Sequence, residues 1–70
     1  LSTYMLLRKS LMEEELLQAQ LRYDQLFRTS QVVNETEKKV YRALLEEALD
    51  DIVSLRNKLQ YINNLPKNAQ

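Results

Sequence analysis

Apolar residues recur along this chain at alternating spacings of four and three. In the second half the series is Tyr41, Leu45, Ala48, Ile52, Leu55, Leu59 and Ile62, with no polar exception. A repeat of 3.5 residues keeps one helix face turned towards a partner helix, which is the heptad of a coiled coil. The first half carries its own series: Met5, Lys9, Met12, Leu16, Ala19, Tyr23, Leu26, Ser30 and Val33. The two series do not share a frame. Continued past Val33, the first would bring Glu37, Glu47 and Asp51 into the seam, and the second is shifted from it by one residue.

The pattern predicts an all-α chain in four stretches. A first coiled-coil segment covers 1–33 and a second, with the clean heptad, covers 37–65. Between them, 29–36 is rich in β-branched and small polar residues, the weaker helix formers. The tail, 66–70, reads as frayed. Ser2 is a candidate N-cap, with Leu1 placed to staple onto Leu6 across it. Asn34 with Glu37 has capping-box spacing for a second helix start. The last helix should end near Asn63–Asn64, because Pro66 pushes Leu65 out of helical geometry.

Two architectures fit. In the first, one helix of roughly 95 Å pairs in parallel with a copy of itself and absorbs the one-residue skip near 29–40 by a local change of supercoil. In the second, the chain folds back near Val32–Val33 into an antiparallel hairpin, and hairpins assemble into a four-helix bundle. Folded about position 32, the hairpin stacks Ala19 on Leu45, Leu16 on Ala48, Met12 on Ile52 and Met5 on Leu59. In the parallel pair each seam residue meets its own copy.

Flanking charges favour the parallel dimer. In register, Arg8 meets Glu13, Glu37 meets Arg42, and Asp51 meets Arg56, all attractive. The hairpin instead sets Glu15 near Asp51 and Arg8 near Lys58, both repulsive. Each such pair is worth only about 0.3 to 0.5 kcal/mol at an exposed site.

A second apolar stripe has no place in a two-stranded coil. Tyr4, Leu7 and Leu11 lie off the seam, with Leu17 and Leu21 on the far side. Exposed apolar patches of this kind mark interaction sites, so these residues form a candidate partner surface.

Composition narrows the function. The chain has no Gly, which suits long helices better than a turn-rich domain. Lys and Arg total ten, as do Asp and Glu, and that balance argues against nucleic acid as the partner. With no Cys, a disulfide scaffold is excluded; a reducing, intracellular compartment (cytoplasmic or nuclear) fits. No apolar run reaches the ~18 residues of a membrane span. Heptads that begin almost at Leu1 suggest a segment of a longer protein.

Chemistry finds little footing. Without His or Cys there is no metal-ligand set and no activated nucleophile, so neither an enzyme nor a cofactor is expected. Glu13-Glu14-Glu15 and Glu46-Glu47/Asp50-Asp51 read as solvated faces. Lys9 in the seam either sets register or extends to water at the helix end. Asn34-Glu35-Thr36 matches a glycosylation pattern short enough to arise by chance.

The function expected is therefore oligomerisation: a homodimer that joins a larger scaffold, adaptor or cytoskeletal protein and docks a second protein through its first half. A hairpin that docks subunits in a complex is the alternative. A membrane-surface helix over 1–12 ranks below both, since Glu13-Glu14-Glu15 follows immediately.

Overall fold

The computed structural model describes residues 2–65. Two helices make up the fold, α1 over Thr3–Ser30 and α2 over Glu35–Asn63, with no strand among the described residues. They pack against each other along their length as an antiparallel hairpin 54 Å long and 14 by 12 Å across. The single continuous helix favoured by the flanking charges is not formed. The chain folds back, and the one-residue shift between the heptads falls at the break between two helices instead of being wound into one.

Local chemistry explains the break. Thr29 Oγ1 donates to the Gln25 carbonyl at 3.0 Å, and Ser30 Oγ to the Phe27 carbonyl at 2.6 Å. Such side chains compete with the backbone for helix hydrogen bonds. The Gln31 and Val32 amides donate to the Arg28 and Thr29 carbonyls, which closes α1 with its terminal acceptors satisfied. No described residue has positive φ, so the turn through Gln31 to Asn34 needs no glycine. Asn34 then starts α2: its Oδ1 accepts from the Glu37 amide at 2.9 Å, and its Nδ2 donates to Glu37 Oε1 at 3.4 Å. This is a capping pair made between side chains on one arm. Glu35 and Glu37 add negative charge to the first turn, where the helix dipole favours it.

The other ends follow the same rules. Ser2 Oγ accepts from the Met5 amide at 3.2 Å. α2 stops at Asn63, and the Asn64 amide still reaches the Gln60 carbonyl at 3.0 Å. The Leu1 staple and the 66–70 tail lie outside the described residues.

Every seam position of both heptads turns inward. Met12, Ala48, Ile52, Leu59 and Ile62 are buried. Met5, Leu16, Ala19, Tyr23, Leu26, Tyr41, Leu45 and Leu55 are half-buried. Lys9 is half-buried and Ser30 is buried. The layers differ from a fold about position 32. Met12 clusters with Leu59 and Ile62, with Met5 and Leu16 packed against them, and Ile52 is not in that group. The Met12–Leu59 pairing is centred between positions 35 and 36, beyond the middle of the turn, so partners on α2 lie nearer its C-terminus.

Candidate functional site

The seam buries one face of each helix, and the functional question becomes what the other faces do. α2 is amphipathic in the ordinary sense. α1 is apolar around most of its circumference, which is the mark of a helix covered on more than one side. Tyr4, Leu7, Leu11, Leu17 and Leu21 are all exposed, between 48% and 64%. At 100° per residue, Leu7 and Leu11 fall on the side of α1 turned away from α2, with Tyr4 at its edge, bordering a cleft at the open end. Leu17 and Leu21 fall on the adjoining flank, together with Leu6.

Among the described residues seven further large apolar side chains are exposed: Leu6, Phe27, Val32, Val40, Leu49, Val53 and Tyr61. Leu49 and Val53 sit one turn apart on α2, on the flank beside its seam. The 3.6-residue period carries that signal, but only once the seam is known to face the chain's own first helix.

The hairpin brings charges of both signs from the two helices into shared clefts. At the open end Arg8 and Lys58 line one cleft. Along α1 and α2 the acidic runs are staggered: Glu14 and Glu15 share a cleft with Asp51 and Lys58, while Glu46, Glu47 and Asp50 lie nearer the turn. Towards the turn the signs mix.

Two clefts show the consequence. Near the waist, Glu14, Glu15 and Asp51 line one cleft with Lys58 at its edge. At the open end, Arg8 and Lys58 line another, over a floor that includes Met5, Met12 and Ile62, with Tyr4 and Tyr61 beside them. Both repulsions expected of a hairpin are therefore present, and Lys58 borders both clefts. Arg8 lies over the Tyr4 ring, 5.9 Å from its centroid, and donates to the Tyr4 hydroxyl at 3.4 Å.

The six residues of the parallel charge pairs take other positions. Arg8 lines the open-end cleft, Asp51 the waist, and Glu37 carries the α2 cap. Arg42 borders a small cleft by the turn with Phe27 and Lys38. Glu13 and Arg56 are exposed. Lys38–Glu35, at 3.5 Å, is the one ion pair among the described residues. Asn34 uses its side-chain amide in the helix cap, which accounts for it without a glycan.

No helix among the described residues is long and apolar enough to cross a membrane, and no cluster of potential metal ligands occurs among them. Comparison with known proteins brings no match: no family model, no curated protein and no solved structure is significantly similar to the chain.

Proposed function

We propose that this chain is a helical-hairpin assembly module that joins two copies through the outward face of α1. The observation that carries the reading is the second apolar stripe. The α1 seam is already used against α2, yet Leu7 and Leu11 remain exposed on the outer side, with Tyr4 at the edge of the open-end cleft. A second copy covers them and yields a four-helix assembly, with the two α1 helices inside and the two α2 helices outside. The heptad that suggested a partner chain is thus satisfied within one chain, and the partner meets a different face. In a longer scaffold, adaptor or cytoskeletal protein, such a module would tie two subunits together.

Burying a leucine contributes roughly 1.5 to 3 kcal/mol. Association costs about 4 to 15 kcal/mol in lost translational and rotational freedom. Several leucines from each copy are therefore needed, and the stripe with its flanking leucines supplies them.

Light scattering over a dilution series tests this. The wild-type chain should move from the 8.3 kDa monomer to twice that mass as concentration rises. Leu7→Asp/Leu11→Asp should remain monomeric with its helical circular dichroism intact, because both side chains lie outside the hairpin core. A wild-type chain that stays monomeric at millimolar concentration removes the proposal.

A further inference from the structure

The outward face of α1 also contains the information that orients the second copy. Three alignments of α1 on its copy are worth comparing. Parallel and in register, Glu14 faces Glu14 within the seam, while Arg8 and Glu15 flank Thr3 and Ser10 of the other copy and gain no opposite charge. Antiparallel and centred on Glu14, Leu7 meets Leu21 and Leu11 meets Leu17. That alignment covers the most leucine, but it stacks the Glu13-Glu14-Glu15 triplet of one copy on the triplet of the other. Antiparallel and centred on Leu11, Leu11 meets itself, with Leu7 of each copy beside it. Tyr4 then lies over Gln18, and Arg8 stands on the same flank as Glu15 of the second copy.

We propose that two copies of this chain pack α1 on α1 in antiparallel orientation about Leu11, with Arg8 of each copy against Glu15 of the other. The inference rests on the reading that the outer face of α1 meets a second copy, and it adds the register and direction.

Two observations within the hairpin point the same way. Arg8 is exposed and has no carboxylate within ion-pair reach among the described residues; the charged side chain that shares its cleft is Lys58. Glu15 is exposed as well and shares its cleft with Glu14 and Asp51, with Lys58 at the edge. Arg8 has no opposite charge in its cleft, and Glu15 shares one Lys58 with two other carboxylates. The Leu11-centred pair sets Arg8 of each copy against Glu15 of the other, twice over by symmetry. Because the contact is isologous, it closes at two copies and does not propagate into a filament.

A charge exchange tests the orientation. R8E alone sets a new carboxylate against Glu15 at both ends, and E15K alone sets a new ammonium against Arg8 at both ends. Mixed in equal amounts, the two variants form a heterodimer in which one end carries the exchanged pair and the other the native pair, both attractive. Sedimentation equilibrium at low salt should show each variant alone dimerising on the order of tenfold more weakly than wild type. The mixture should recover wild-type affinity. The differences should collapse in 1 M salt, where the screening length is about 3 Å. Circular dichroism serves as the folding control, since both side chains are exposed.

If wild type dimerises but R8E does so equally well or better, and mixing changes nothing, the antiparallel register is wrong while the α1 interface stands. If wild type never dimerises, the underlying interface is wrong. If the chain stays monomeric and co-sediments with anionic phosphatidylserine vesicles, the basic apolar end serves a lipid surface, and the proposal is overturned on that ground.

Discussion

Enlarging Ala48 should destabilise the fold, and the sign of that effect separates the hairpin from a parallel pair. Ala48 is 1% exposed, the most enclosed of the core residues. A leucine there adds three carbons where the α1–α2 interface is already closed. Overpacking of this kind typically costs about 1 to 3 kcal/mol. In a parallel two-stranded coil, Ala48 would meet its own copy across a thin layer. Filling such a gap gains about 0.8 kcal/mol per buried methylene, so Ala48→Leu would stabilise. Helix propensity does not blur the comparison, because Ala and Leu stand close together at the top of the scale. For a chain this short, total stability is on the order of 0.05 to 0.15 kcal/mol per residue, so the loss is a large share of it. Thermal unfolding followed by helical circular dichroism should show the melting temperature falling by roughly 4 to 8 °C for each kcal/mol lost. A melting temperature that rises by several degrees would refute the enclosed position of Ala48, and with it the packing of α2 on α1.

Other substitutions probe separate features. Asn34→Ala removes the acceptor for the Glu37 amide and should cost about 1 kcal/mol in urea unfolding, while Asn34→Asp, which keeps an acceptor, should cost much less. Ile52→Asp places a carboxylate at a position only 7% exposed and should abolish most of the helical signal; a retained spectrum would mean that Ile52 is not enclosed. Leu59→Ala should cost about 2 to 5 kcal/mol in the same urea titration. By contrast, Leu11→Ala, at a side chain 62% exposed, should stay within about 0.5 kcal/mol when measured on dilute monomer.

Much of this fold was legible in the residues. The helical class, the inward face of both helices and the capping roles of Ser2 and Asn34 follow from heptad spacing and side-chain chemistry. Direction did not follow, for a physical reason. The flanking pairs that favoured a parallel dimer are worth a few tenths of a kcal/mol each, and exposed side chains can turn away from like charges. Lys58 shows this, bordering the cleft of Glu15 and Asp51 as well as that of Arg8.

The turn was also harder to read than its neighbours. Fold-back usually announces itself with Gly or Pro, and 29–36 has neither. Here the work is divided between Thr29 and Ser30, which close one helix, and Asn34, which opens the next. The layer pairing of Met12 then depended on the length of the turn, which spacing alone does not give. The candidate partner surface was visible as a stripe off the seam. Its charged surroundings were not, because the meeting of Glu14 and Glu15 with Asp51 and Lys58 exists only after the chain has folded back.

The fold-back itself is open to one direct distance. The chain has no native cysteine, so Ser10→Cys/Asn57→Cys can carry two spin labels at exposed positions, diluted with unlabelled protein so that only distances within one chain are read. Packed helices lie about 8 to 10 Å apart axis to axis, and a hairpin therefore gives a short label separation, about 20 Å or less. The same two positions on one continuous helix would stand about 70 Å apart, and a distance in that range would contradict the hairpin.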